Sequence, residues 1–145
     1  VTIGSLIYQV MGVSWGKKLA MPGFLHSMQA QWDERIFEDP LQKVKVAFMS
    51  TRQGDAMIEL VEPAGEGSPV LRFLNEKGGG LHHLCYEVSD LEKSLAESRE
   101  RGSMIVSRPK PAVAFNGRRI AWVLTKEKML VEFLETEASI SEQHS

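Results

Sequence analysis

Apolar and polar positions follow a pattern along this chain that is stated twice. In the first half, Lys43-Val44-Lys45-Val46-Ala47-Phe48-Met49 is followed by a polar break, Arg52-Gln53-Gly54-Asp55, and then by Ala56-Met57-Ile58-Glu59-Leu60-Val61-Glu62. In the second half, Arg119-Ile120-Ala121-Trp122-Val123-Leu124, a short break and Met129-Leu130-Val131-Glu132-Phe133-Leu134-Glu135 repeat the arrangement. Short apolar runs bounded by turn residues read as strands, so each copy is a hairpin. Each second strand carries a glutamate in its middle, Glu59 in one copy and Glu132 in the other. A carboxylate there is costly to bury unless it is paired, hydrogen-bonded or bound to a cation. Two of them at equivalent places point to a shared site.

The remaining segments extend each hairpin into a module. Thr2 to Val10 reads as a strand from its β-branched residues, and Ser14 caps a helix through about Met21 that Pro22-Gly23 ends. Gln29 to Glu38 reads as a strand, and Asp39-Pro40 turns the chain into the first hairpin. After a connector from Pro63 to Pro69, Val70 to Leu74 forms a short helix, and Gly78-Gly79-Gly80 reads as a hinge. Leu81 to Val88 is a strand, and Ser89-Asp90-Leu91-Glu92 has the capping-box form that opens a helix, which Gly102 closes. Met104 to Ser107 and Arg118 to Leu124 are strands, with Arg108-Pro109-Lys110-Pro111 and Asn116-Gly117 as turns, and Met129 to Glu135 is the last strand. The expected fold class is α+β: two β-α-β-β-β modules forming a curved mixed sheet around a central cleft lined by the faces the helices leave bare. One domain over 1–145 is expected, with module one at about 2–62, a connector at 63–80, module two at about 81–135 and a frayed polar tail at 136–145.

Composition narrows the function. A length of 145 residues suits one domain with a shared core. A formal charge of -2 with interspersed signs offers no basic stripe for nucleic acid. No apolar run is long enough to span a bilayer and no signal-peptide pattern opens the chain, so a soluble, cytoplasmic protein is expected. The single cysteine, Cys85, excludes an internal disulfide and fits a reducing compartment. It has no basic sequence neighbour to favour a thiolate.

Several residues have plain structural readings. His82 alternates to the face opposite His83 and reads as packed. Glu62 and Glu135 read as solvated strand ends, and Glu87, which shares strand parity with His83, reads as exposed, with a place at the cleft rim as the alternative. Trp15, Trp32, Phe37 and Trp122 read as core or cleft wall. The glycine run precedes a strand rather than a helix and lacks the geometry of a phosphate cradle.

Gly80-Leu81-His82-His83-Leu84-Cys85-Tyr86-Glu87-Val88-Ser89-Asp90-Leu91, with Ile58 to Pro63, Ser68-Pro69-Val70, Phe73-Leu74 and Leu130 to Phe133, resembles the vicinal oxygen chelate superfamily, and within it the methylmalonyl-CoA epimerases. The resemblance covers roughly residues 43–135. It implies that His83, Glu59 and Glu132 are metal ligands for a divalent ion such as Co, Zn, Ni or Mn, and that Glu132 doubles as the catalytic proton-transfer group. Aligning Ile3-Gly4 with the family's first-strand ligand motif puts Thr2, a poor ligand for such ions, at the ligand position; an alternative register puts Gln9 there but leaves too short a path to the first helix, and Val46 stands where some epimerases carry a second glutamate. Arg108, Lys110, Arg118 and Arg119 are candidates to hold the phosphates of an acyl-CoA; solvated charge is the plain alternative. The implied activity is a metal-dependent isomerisation at the carbon α to a thioester carbonyl, in a homodimer. A non-catalytic drug- or metabolite-binding protein of the bleomycin-resistance type and a glyoxalase I-like lyase are the alternatives; an extradiol dioxygenase needs a second histidine in the site.

Overall fold

The computed structural model describes the backbone of residues 2–8, 29–32, 34–50 and 56–137, with side chains from residue 29 onward in those ranges except residues 56 and 57. The expected helix from Ser14, the alternative ligand register at Gln9, Trp15, the Arg52 to Asp55 turn, the side chain of Thr2 and the tail beyond 137 lie outside the described residues. The chain divides into two compact units, Gly4–His82 and His83–Ser145, the latter with Val1–Ile3.

In the first unit, β1 (Thr2–Tyr8) lies beside β5 (Ala56–Pro63), β5 pairs with β4 (Val44–Ser50), and β4 pairs with the short strands β2 (Gln31–Trp32) and β3 (Phe37–Asp39). The continuous strand expected over Gln29 to Glu38 is therefore broken. From Trp32 to Phe37 the chain advances five residues while β4 advances only three, from Met49 to Val46. Residues 34–36 bow out of the ladder: Glu34 takes a left-handed φ of 65°, and the Trp32 indole N–H donates to the Arg35 carbonyl at 3.1 Å. Met49, Ile58 and Leu60 form a buried cluster on one sheet face of this unit, with Ala30 and Trp32 packed against them. Helix α1 (Pro69–Lys77) outlasts the expected Val70 to Leu74: Pro69 starts it with a preset φ, and Gly78 ends it in the left-handed conformation with its N–H on the Leu74 carbonyl at 2.8 Å. Gly78 is thus a helix cap, and Gly79 and Gly80 open the next strand.

The second unit repeats the same strand order. β6 (Gly79–Val88), whose residues from His83 onward belong here, runs parallel to β9 (Leu130–Glu135); β9 pairs antiparallel with β8 (Arg119–Leu124), and β8 with β7 (Met104–Pro111). Helix α2 (Leu91–Glu100) crosses from β6 to β7 and buries Leu91 and Leu95 against Ala121, Val123 and Val131. Its N-cap is Asp90, one residue beyond the expected Ser89, with the carboxylate accepting from the Lys93 N–H at 2.9 Å. Asp and Ser cap comparably well, so the sequence alone cannot rank two adjacent candidates. The expected turn at Arg108 to Pro111 is instead the end of β7. This strand pairs only with β8 in its unit and carries two register shifts, which is where a sheet tolerates proline. Thr136, expected to fray, donates its N–H to the Val88 carbonyl at 3.0 Å.

Candidate functional site

Alternation along β6 sends His83, Cys85 and Glu87 to the face of the second sheet that α2 does not cover. The parallel register sets Cys85 beside Glu132 on β9, and the antiparallel register sets Glu132 opposite Trp122 on β8. His83, Cys85 and Glu132 are 3%, 1% and 3% exposed. The His83 Nε2 lies 3.3 Å from Glu132 Oε2, the Cys85 thiol contacts Glu132 Oε1 at 3.8 Å, and the His83 ring stands edge-on to Trp122 with centroids 4.5 Å apart. Both carboxylate oxygens thus have a partner on β6. Cys85 is the site residue that sequence reasoning misses. Its strand parity with His83 is the signal that points to it.

Glu59 occupies the matching place in the first unit. It is buried and faces Phe48 across the β4–β5 ladder, as Glu132 faces Trp122 across β8–β9. Val46, at the place of the second glutamate in some epimerases, is a buried residue of that ladder facing Val61. The parallel extends to the strand ends. Glu62 faces Lys45, while Glu135 is gripped by Arg119, which reaches its two oxygens at 2.7 and 3.0 Å and also bonds Glu92 at 2.8 Å.

Glu62 and Glu135 are therefore not solvated strand ends. Glu135 is 4% exposed, and its hydrogen bonds to Arg119 hold its carboxyl below the ordinary carboxylate range; the same bonds raise the Arg119 pKa. Burial pushes the Glu62 carboxyl up, partly offset by Lys45. Glu87 is half-buried and paired with Arg118 at 2.8 Å rather than exposed at a rim. His82 packs edge-on against Phe73 at 4.9 Å. Of the four candidate phosphate ligands, Arg119 and Arg118 hold ion pairs within the second unit, Arg108 is exposed and Lys110 is half-buried.

As a test of metal fit, His83 and Glu132 offer an imidazole and a carboxylate, the donor types that divalent transition metals favour. Among the described residues no group of three or more His, Cys, Asp or Glu side chains is gathered as a metal centre. Within the second unit the imidazole and the carboxylate that meet are His83 and Glu132; Glu59 belongs to the first unit.

A family model for the Glyoxalase/Bleomycin resistance protein/Dioxygenase superfamily matches residues 8–122. The chain belongs to this superfamily. Superfamily relatives include a Cereibacter sphaeroides ethylmalonyl-CoA/methylmalonyl-CoA epimerase, 32% identical over 62% of this chain and 66% of that protein. The human mitochondrial methylmalonyl-CoA epimerase is 30% identical over 60% of this chain and 54% of its own length. The aligned stretch thus spans less than two thirds of either epimerase. The uncharacterised Bacillus subtilis protein YqjC is 34% identical over 71% of this chain and 73% of its own. Among solved structures, the Mycobacterium tuberculosis methylmalonyl-CoA epimerase shares the superfamily fold with a TM-score of 0.76 at 20% identity, over 97% of this chain and 89% of that one. A Streptomyces coelicolor methylmalonyl-CoA epimerase in complex with 2-nitronate-propionyl-CoA does so with a TM-score of 0.71 at 20% identity, over 93% and 95%. The α+β superfamily fold is thereby shown. No helix among the described residues is long and apolar enough to cross a membrane.

Proposed function

We propose that this superfamily member is an epimerase-like isomerase acting at the carbon α to the carbonyl of a small acyl thioester. The observation that carries the reading is the buried His83–Glu132 pair, at 3.3 Å on the face that α2 leaves bare, in a chain whose named relatives are methylmalonyl-CoA epimerases. A divalent ion held by His83 and Glu132 would supply chelation of two neighbouring substrate oxygens and draw off the charge that develops there. Glu59 enters the proposal through the repeat, as the carboxylate that the first copy offers at the place of Glu132.

The side chains define the rest of the mechanism. Trp122 fixes the plane of the His83 ring, and Cys85 fixes one oxygen of Glu132. Glu132 then moves the α-proton, since it is a carboxylate held in one orientation and shielded from water. The test is deuterium exchange at the α-carbon of methylmalonyl-CoA with Co, Mn, Ni or Zn added. Exchange in the wild type that is lost in His83→Ala and Glu132→Gln supports the reading. No exchange with any metal, together with tight uptake of an apolar compound by metal-free protein, would instead make the chain a non-catalytic, ligand-sequestering member of the superfamily.

A further inference from the structure

Cross-strand rows divide the bare face of the second sheet, and one row is both apolar and open. Met104 faces Leu124 across the β7–β8 ladder, and Leu124 faces Leu130 across β8–β9. Leu84 pairs with Val131, so His83, one residue earlier on β6, stands level with Leu130 and ends the row. The next row is Ser107, Trp122, Glu132 and Cys85, and the one beyond it is Lys110, Ile120, Leu134 and Glu87. Exposure separates them. Ile120 and Leu134 in the far row are 0% exposed, whereas Met104 is 59% exposed and Leu124 and Leu130 are half-buried. On the opposite face of the same strands, Val123 and Val131 are buried under α2. The open apolar surface of this face therefore lies on the side of the His83–Glu132 pair that carries Leu130.

The chemistry of the row selects what it can hold. None of Met104, Leu124 and Leu130 offers a hydrogen-bond donor, so a carboxylate or hydroxyl laid on them would lose water without a partner. Lys126, in the turn between β8 and β9, lays its side chain over Gly102, where a Cβ would collide with it, and so draws its ammonium toward the end of α2. Methionine at the open end adds a flexible, adaptable wall. Leu130 is two residues from Glu132 along β9, roughly 7 Å. An extended carbon chain advances roughly 1.2 Å per bond, so a methyl group on the carbon beside Glu132 stops short of the row, while a chain of about four to six carbons lies along it. We infer that Met104, Leu124 and Leu130 form an apolar subsite for the side chain on the substrate's α-carbon, and that the preferred side chain is an alkyl chain of about four to six carbons. The inference rests on the thioester reading and names the group that distinguishes one thioester from another. Continuity of the row with His83 assigns it to a ligand of that site rather than to a second copy of the chain.

The test compares 2-methylmalonyl-CoA with 2-pentylmalonyl-CoA, which differ only in the length of the alkyl chain, by calorimetry and by α-carbon deuterium exchange with the full chain and the same added metals. The wild type should bind the pentyl compound at least about tenfold more tightly, the ratio expected when about half of the added chain leaves water. Leu124→Thr should bring that ratio close to one, and Met104→Thr should lower it about threefold. Threonine suits a strand and Met104 is exposed on an edge strand, so Met104→Thr leaves the fold intact. The ratio also divides out any general loss of folded protein. Val113→Thr, at an exposed apolar residue in the loop between β7 and β8, is the control and should leave the ratio as it is. Absent or equal affinity for the two thioesters in the wild type, or a ratio that survives both Leu124→Thr and Met104→Thr, overturns the subsite. A lower sedimenting mass in either variant with the ratio intact also overturns it, and gives the row to a second copy of the chain. Chain-length preference in binding without α-carbon exchange would sink the catalytic reading and keep the subsite, and exchange indifferent to chain length would do the reverse.

Discussion

At the scale of single residues, equivalent positions in the two copies have acquired opposite electrostatics. Glu135 meets a forked guanidinium that satisfies both oxygens, whereas Glu62 stands opposite Lys45 in the β4–β5 ladder and keeps Oε2 buried with no hydrogen-bond partner among the described residues. The signs of their linkage to folding follow. The depressed Glu135 carboxyl contributes stability that is present above the ordinary carboxylate range and is lost as the pH falls through its folded value. The raised Glu62 carboxyl binds its proton more readily in the folded state, so it favours folding at acid pH and costs stability once the pH rises through its folded value. Glu135→Gln should therefore destabilise by about 1 to 2 kcal/mol at pH 7, a charged-bond loss discounted because Arg119 is partly exposed. Glu62→Gln should stabilise by up to about 1 kcal/mol at pH 7. Urea melts at pH 7 and pH 3 check both. The two differences must shrink at the lower pH, and a shared sign at pH 7 would refute the contrast.

At the scale of elements, the sequence is legible where periodicity and caps agree, and illegible where two local solutions have similar energies. Both hairpins, the β6 strand and the α2 helix follow from apolar patterning. The break in the Gln29 to Glu38 segment does not, because Trp32 and Phe37 each suit a strand and only the ladder to β4 shows that the chain between them is too long. Pro109 and Pro111 signal a turn locally, yet an edge strand accommodates them. In the site, parity along β6 and β9 makes His83 and Glu132 legible, while the Cys85 contact and the Arg118 pairing depend on side-chain directions across strands that sequence spacing does not carry. The cap of α2 is decided by tertiary detail, and it can be tested. Asp90→Ala should cost about 1 kcal/mol through the lost bond to the Lys93 N–H, while Asp90→Asn, which retains a cap acceptor, should stay within about 0.5 kcal/mol of the wild type. Equal losses in chemical melts would show that the charge of Asp90, and not its capping bond, matters.

At the scale of the whole molecule, the repeat joins form to chemistry. Each unit presents the same strand order and buries one glutamate opposite an aromatic residue, and an uncompensated carboxylate there would be expensive. In the second unit His83 and Cys85 offset that expense, and a bound cation would offset it further. Metal binding to the folded chain alone must raise its stability by mass action, about 2.7 kcal/mol at a hundredfold excess over Kd, or roughly 5 to 10 °C in Tm for a chain of this size. Scanning calorimetry with Co, Mn, Ni or Zn, each against a chelator control, should show an increment of that order in the wild type. His83→Ala and Glu132→Ala should erase the increment, whatever they do to the metal-free Tm, because the increment reads binding and not packing. Glu59→Ala is the decisive variant for the first copy. Loss of the increment would mean that the repeated glutamate is a ligand, and its persistence would confine the ion to the second unit. An increment that survives all three substitutions would remove the metal from the proposal altogether.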